Sequence, residues 1–560
     1  MKKDNLFVKK LFVRFFLPAL FSSLALSIGA VADSFYIGSE VGESGLFIIG
    51  SAYPVYLIFS TLSIGMASGG AVHFTAKLGE GRERDARRIF FSTVVFDLIG
   101  ICLFVVLGLI FREPLIGLLG ASEGAAGYGD FRSYVTLMLI CSPVLFMQAP
   151  LHYFVYADGN PKLASAALII GNFCDCLFGY LFIVKLKMGV NGSVWSTLCG
   201  AAATEGICLI HIIRGKGALC LKRCGAPSLR LAARSGFTGF STAATYLYQF
   251  VTILLFNRIL LRIGGEWAVA SYDVVYNAGS IVGAVTEGGS MAVIALVSTF
   301  YGERNAGGVK GSLRISILVC FVLTLLLGSG MAVFAEQFCV LFGISAEYSA
   351  EAAYAFRLYL AGMGLACLNG VLGAYFQSIG AERFSYLITG LRTFALLLLF
   401  GGLLALGGYR IFWLCFLCAE GATLLLAGPV AVRRKILKDD GASAFSESFI
   451  GSRETISDLC ERIQLFLEEH GAMAKRSYLI SLSVDETLRL ITGDRDSLFL
   501  QLTLILRGED CVLHLRDNAK RFNPFELSEE EELGLKIVKN SAKSFHYRQL
   551  AGFNTLTVTF

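Results

Sequence analysis

From about Leu11 to Val432 the chain repeats one unit twelve times: an apolar run of roughly 20 residues or more, then a short charged or glycine-rich break. A hydrocarbon slab ~30 Å thick takes about 20 residues of helix to cross. Within it a helix satisfies its own backbone polar groups. The runs 11–37, 46–72, 89–111, 131–156, 163–184, 190–213, 237–263, 267–300, 313–335, 349–378, 384–407 and 411–432 are therefore expected to be membrane spans.

After Val432 the period changes. Ile456, Leu459, Ile463, Phe466 and Leu467 mark one face of a helix ending at Gly471, and a second helix is expected over 474–491. Alternation through Phe499–Leu506 and Cys511–Arg516, around Arg507-Gly508-Glu509-Asp510, predicts a hairpin. A helix near 533–543 and strands near 545–549 and 555–560 complete the pattern. The expected fold is an all-α polytopic membrane domain over 1–440, with six-helix halves at about 11–213 and 235–432. A linker over 441–450 then leads to a small α+β two-layer domain over 451–560.

Composition agrees: 55% of the 560 residues are hydrophobic and 16% charged. The net charge of +5 hides a basic first part, net +9 through residue 440, and an acidic tail, net −4. The basic excess lies in loops, with Lys77, Arg82, Arg84, Arg87 and Arg88 in one and Arg214, Lys216, Lys222, Arg223, Arg230 and Arg234 in another. The positive-inside rule puts those loops, both termini and the tail in the cytoplasm of a multi-pass cell-membrane protein; a nucleic-acid partner is not expected. Most of the 15 cysteines sit in apolar runs without CxxC spacing and read as small hydrophobes. No His/Cys metal cluster, GxSxG or P-loop argues for an enzyme, and no cofactor is expected.

An internal repeat is visible. Gly79 in Leu78-Gly79-Glu80-Gly81 precedes Gly159 in Asp158-Gly159-Asn160-Pro161 much as Gly302 in Tyr301-Gly302-Glu303-Arg304 precedes Gly380 in Ile379-Gly380-Ala381-Glu382. Six spans per half give the halves the same orientation, an arrangement found in alternating-access transporters with a site at the repeat interface.

Asp33-Ser34-Phe35-Tyr36-Ile37-Gly38, Leu78-Gly79-Glu80-Gly81-Arg82-Glu83-Arg84-Asp85-Ala86, Ala157-Asp158-Gly159-Asn160-Pro161-Lys162, Met188-Gly189-Val190-Asn191-Gly192 and Tyr301-Gly302-Glu303-Arg304-Asn305 together resemble the multidrug and toxic compound extrusion (MATE) family over roughly 10–432. The resemblance implies a proton- or sodium-coupled antiporter that exports organic cations. The chain departs from the family in the fifth span, where Asp175 stands at the usual Asn and Gly179 at the usual Asp; a one-turn slip would use Asn172 and Asp175. The eighth span has no Pro near Ala295.

An ionisable residue in the middle of a span costs at least ~2.5 kcal/mol on insertion scales and usually lines a cavity or ion path. Asp33, Asp97, Asp175, Glu205, Glu287 and Glu420 meet that description. The ion, proton or substrate contacts are assigned to Asp33, Asn172, Asp175, Glu205, Gln249 and Glu287; Asn257 joins Gln249 as a polar residue of the seventh span. With 45 Phe and 21 Tyr, some aromatic faces are available to a flat lipophilic cation.

The tail resembles the histidine-kinase-like ATPase fold, nearest the anti-sigma-factor serine kinases. Glu486 falls at the N-box Glu, Asp517 at the adenine-reading Asp and Gly534 in the second glycine box. The Mg²⁺-holding Asn is Leu490, however, and two box glycines are Ala519 and Glu532. Loss of glycine bars close backbone approach to phosphates, so ATP binding is not expected and the domain reads as regulatory, with a cytoplasmic protein as its partner. Two other functions remain open at this point: a membrane-tethered sensor built on a transporter fold, and a flippase for lipid-linked precursors.

Overall fold

The computed structural model describes residues 2–41, 43–119, 128–215, 218–219, 225–341, 344, 347–433, 443–450, 453–470, 474–492, 498–507, 510–519, 523, 533–550 and 553–560. Twelve of its helices are long and apolar enough to cross a bilayer. The first six spans are Lys2–Glu40, Glu43–Gly79, Glu83–Ile110, Tyr128–Ala157, Pro161–Gly179 and Asn191–Arg214. The next four are Leu229–Ile263, Glu266–Gly302, Ala306–Val333 and Ser349–Ser378. The eleventh begins at Glu382–Gly390 and ends at Leu396–Ala405, and the twelfth is carried by Leu414–Arg433. All twelve fall where the apolar runs predict them, the tail and N-terminus sharing one end of the bundle.

The repeat extends to features the apolar pattern does not show. Short helices follow the third and ninth spans, Arg112–Leu118 and Ala335–Leu341. A π-helical turn interrupts the fifth span at Tyr180–Lys185 and the eleventh at Leu391–Ala395. Gly159 and Gly380 both take positive φ, +86° and +66°, a conformation that only glycine adopts cheaply. Outside the spans, Tyr128, Arg132 and Arg112 hydrogen-bond Glu113, and the Tyr128 hydroxyl foremost holds its carboxyl down at about 2.

Between helices already in lipid the hydrophobic effect gives little, so small residues and close backbone contact decide the packing. The second and seventh spans cross at Gly65, Gly69 and Gly239. A Cβ on Gly69 would run into the Ser235 carbonyl oxygen, and one on Gly239 into that of Gly65. Nearer the tail, Gly79 abuts the Thr299 carbonyl and Gly302 the Ala76 carbonyl. Hydrogen bonds link the halves here: Thr75 with Ser298 (2.6 Å), His73 with Thr238 (2.9 Å), and Gln377 with Ser68 (2.7 Å). The two halves are sealed together at the tail end.

The tail is a five-stranded antiparallel sheet in the order β1-β2-β3-β5-β4, the strands being Ser443–Ile450, Phe499–Arg507, Asp510–Asp517, Ser544–Leu550 and Phe553–Thr559 for β1 to β5. The expected linker is corrected here. Residues 443–450 form β1, paired along its length with β2, because Phe445, Glu447 and Phe449 alternate with serines and alanine in the manner of an edge strand. Leu500, Leu502, Leu504, Leu513, Leu515, Leu556 and Val558 line one sheet face and pack against Ile456, Leu459, Ile463, Ile480, Val484 and Leu488 of helices Arg453–Glu469 and Ala474–Thr492. Each such side chain contributes about 1.5–3 kcal/mol on burial, so this face builds the domain's own core. The other face carries Gln501, Thr503, His514, Arg516, Thr555 and Thr557, polar yet buried. It rests on the sealed end of the bundle.

Candidate functional site

The central polar group lies where the halves meet, beyond the seal. Glu287 of the eighth span accepts a hydrogen bond from Ser23 of the first, and its charge reaches Tyr56, Tyr153 and Tyr246 of the second, fourth and seventh spans. Four neighbours on four helices, three from one half and one from the other, put this carboxylate between the halves. Glu287 is nonetheless accessible to water-sized contact, and Tyr53 and Tyr56 keep 38% and 44% of their surfaces exposed. Gly50, farther from the seal, meets nothing within 4 Å at its Cβ position. Glu287, Tyr53 and Tyr56 thus form an exposed, tyrosine-rich group between the halves, on the far side of the seal from the tail. The small residues Gly288 and Gly289 explain the approach: a Cβ at Gly288 would press on the backbone of Leu20.

A second carboxylate stands within the first half. Asp175 packs against the sixth span, where a Cβ on Gly200 would lie 2.9 Å from its own, beside Ser196 and Thr197. Its Oδ1 is buried with no hydrogen-bond partner among the described residues, and its charge also reaches Tyr56. Tyr56 is therefore within electrostatic reach of both Asp175 and Glu287. Asn172, one turn earlier, donates to the Leu168 carbonyl at 2.8 Å, and its Oδ1 would meet a Cβ on Gly29 at 3.0 Å. The Asp33 side chain lies outside the described residues. Its backbone stands one turn past Gly29 and one turn before Tyr36, whose ring lies 6.4 Å from that of Tyr180; the first and fifth spans thus touch on both sides of it.

The remaining expected site residues are not gathered here. Glu205, on the sixth span near Cys208, keeps a buried Oε1 with no hydrogen-bond partner among the described residues. Gln249 is half-buried one turn on from Tyr246. Asp97 is fully buried in the third span, where Ser63 donates to it at 3.5 Å, an interaction internal to the first half.

The second half pairs Glu420, one of the mid-span acids, with a cation that the reading of mid-span charges did not find. Arg392, on the π-helical turn of the eleventh span, donates to Glu420 through Nε (3.0 and 3.1 Å) and Nη2 (2.8 Å), and Asn369 adds a third donor at 2.7 Å. Only the internal repeat signals it: Arg392 and Thr393 follow Gly380 at the spacing by which Gly171 and Asn172 follow Gly159. Where the first half leaves an acidic oxygen unpartnered, the second satisfies its carboxylate with a fixed cation. Truncating one partner of a buried ion pair costs about 3–5 kcal/mol. Arg392→Ala is thus expected to lower the thermal unfolding midpoint in detergent sharply, and Arg392→Leu combined with Glu420→Leu to recover most of the loss.

In the tail, Asp517 is engaged. Its Oδ1 accepts from the Asn554 amide and the Ala519 backbone N–H, both at 2.8 Å. Glu486 is half-buried on helix Ala474–Thr492, and Gly534 begins helix Leu533–Ser541; Glu532 lies outside the described residues.

Comparison with known proteins agrees with this architecture. The MatE family model matches residues 18–181 and 238–401, once in each half. "Probable multidrug resistance protein YoeA" of Bacillus subtilis is 22% identical over 59% of this chain and 72% of its own length. A "FAD transporter" of Shewanella oneidensis is 23% identical over 58% of this chain and 72% of its own length. Among solved structures, an outward-facing multidrug resistance MATE transporter superposes with a TM-score of 0.70 at 20% identity, covering 76% of this chain and 95% of that one. A MATE in complex with MaD3S gives 0.72, also at 20% identity, over 77% and 98%. With the family model matched in both six-helix halves, the chain belongs to the multidrug and toxic compound extrusion family of membrane transporters.

Proposed function

We propose that this transporter exports organic cations across the cell membrane in exchange for an inward-moving proton or sodium ion. The basic loops at the sealed end support a cytoplasmic position for that end, both termini and the tail, and with it an outward-facing Glu287. The observation that carries the reading is Glu287, a water-accessible carboxylate held between the halves and flanked by Tyr56, Tyr153 and Tyr246. A carboxylate and aromatic faces are the groups that attract a flat cation, the rings adding about 0.5–2 kcal/mol apiece where water is excluded. The same carboxylate can hold a proton or sodium ion, so cargo and coupling ion compete for one negative charge. Asp175, whose charge reaches Tyr56 as that of Glu287 does, extends the acidic path into the first half. Arg392 neutralises Glu420, the mid-span carboxylate of the twelfth span, which leaves ion exchange to the first half and the interface.

The tail is regulatory. Asp517 Oδ1, on the residue that would read an adenine, is already engaged within the domain by Asn554 and Ala519.

The test is efflux of a fluorescent lipophilic cation from proteoliposomes under separate pH and sodium gradients. Efflux driven by at least one gradient, and collapsed by dissipating it, is expected. Equal flux with and without both gradients would overturn the antiport reading.

A further inference from the structure

We propose that the tail sheet is a latch that holds the sealed state closed, anchored on the first half and releasing the second. This rests on the regulatory reading of the tail and names its mechanism. The seal and the tail share their residues. Gly79 and Gly302 abut carbonyls across the junction of the halves, and the loops that follow those two glycines are the ones the sheet grips.

On the first half the grip is broad. The Phe7 and Phe553 rings lie 4.9 Å apart, Arg14 stands over the Phe553 ring at 4.3 Å, and Lys10 over the Phe499 ring at 4.5 Å. Beside them, a Cβ on Gly81 would touch Val512 at 2.9 Å, and His546 approaches Glu83 at 3.5 Å. On the second half, among the described residues, the polar grip is concentrated in one pair. Both Arg516 Nη atoms donate to the Glu303 carboxylate, Nη1 at 2.8 Å, and Nη1 also meets Gln501 at 3.2 Å. The two side chains keep only 5% and 1% of their surfaces exposed. Arg516 further lies over the Phe300 ring at 5.3 Å, beside a crevice lined by Leu11, Phe15, Leu296 and Phe553.

Arg516 is on β3 and His546 on β4, joined through β5 by continuous ladders. A hydrogen-bonded sheet does not stretch. When the halves part at this end, Glu83 and Glu303 separate with them, and the sheet can follow only one. The broad aromatic and cationic contacts with the first span keep it on the first half. The Arg516–Glu303 pair is then what breaks, both charges passing from a buried contact into water. Opening toward the tail is thereby opposed by one specific, desolvated ion pair, and anything that captures Arg516 or lifts the sheet frees the cycle.

The test uses the full chain with keto amino acids, spin-labelled without involving the native cysteines, at Arg84, Lys310 and Lys536, all exposed. Pulsed electron paramagnetic resonance gives the distances. The unaltered chain is expected to show one short Arg84–Lys310 distance. Arg516→Gln, which frees the second half, and Val512→Asp, which wedges the sheet off Gly81, should each add a longer population and raise the open-to-sealed ratio roughly tenfold or more. Exchanging the charges, Arg516→Glu with Glu303→Arg, should restore the short distance. In whatever open population forms, Lys310–Lys536 should lengthen while Arg84–Lys536 stays fixed. An unchanged Arg84–Lys310 distribution in either folded variant, or a Lys536 label that moves with Lys310, overturns the latch. These distances need no substrate, so a latch that holds while cation efflux is absent would fault only the transport reading.

Discussion

Glu287→Gln is expected to abolish gradient-driven cation efflux while leaving the protein folded. Glutamine keeps the shape and can still accept from Ser23, so the packing around Gly288 and Leu20 is retained. It loses the negative charge proposed to hold a cation and the oxygen proposed to take up a proton. An interaction with a charged partner contributes about 1.5–3 kcal/mol, which corresponds to roughly 10- to 150-fold in affinity. Coupling should be lost outright, since an uncharged amide has nothing to exchange. Proteoliposome efflux and a thermal unfolding scan of the same preparation separate the two effects. Efflux within twofold of the unaltered chain would remove Glu287 from the mechanism.

Gly69→Val should be comparably severe, by a different route. A side chain here meets backbone, the Ser235 carbonyl and the Gly239 N–H, and backbone cannot rotate aside. Overpacking against movable side chains costs about 1–3 kcal/mol, and this contact belongs at or above the top of that range. Some 3 kcal/mol amounts to a shift of about two decades in an equilibrium, enough to depopulate the sealed state. The expected phenotype is loss of efflux together with a long Arg84–Lys310 distance. Gly50→Ala, in open space on the same span, should behave like the unaltered chain. A sealed, active Gly69→Val protein would show that the second and seventh spans do not form the gate.

The membrane fold was legible because its signal is redundant: length and apolarity agree in every span, loop charge agrees in most although Lys185, Lys187, Arg258 and Arg262 run against it, and glycine loops repeat between halves. Local structure that tertiary pairing imposes was not. Ser443–Ile450 reads as a serine-rich connector until β2 is available to pair with it. Helices Arg112–Leu118 and Ala335–Leu341 are too short to carry a period of their own. The π-helical turns at Tyr180–Lys185 and Leu391–Ala395 lie inside apolar runs, where propensity is silent. In the site, a mid-span carboxylate is conspicuous in sequence, but its neighbours are not. Asp97, Asp175, Glu205 and Glu287 look alike as isolated acids. Only the fold separates Glu287, ringed by tyrosines between the halves, from Asp97, tucked behind Ser63 within one half. Arg392 escaped notice because a single arginine near the end of an apolar run resembles an interfacial anchor; its bidentate contact with Glu420, 28 residues away, exists only in three dimensions. The tail's inner face was hidden for a related reason. Gln501, Thr503, His514 and Arg516 alternate as a solvent-facing row would, yet the bundle buries them.

The central claim is that cargo and coupling ion compete for the Glu287 carboxylate. Equilibrium binding of tetraphenylphosphonium to the purified protein, measured across the neutral pH range with and without sodium, tests it most directly. Affinity should weaken as the coupling ion, proton or sodium, becomes more abundant, and Glu287→Gln should bind weakly with no such dependence. Binding by the unaltered chain that ignores both ions, or a dependence that survives Glu287→Gln intact, would contradict the account.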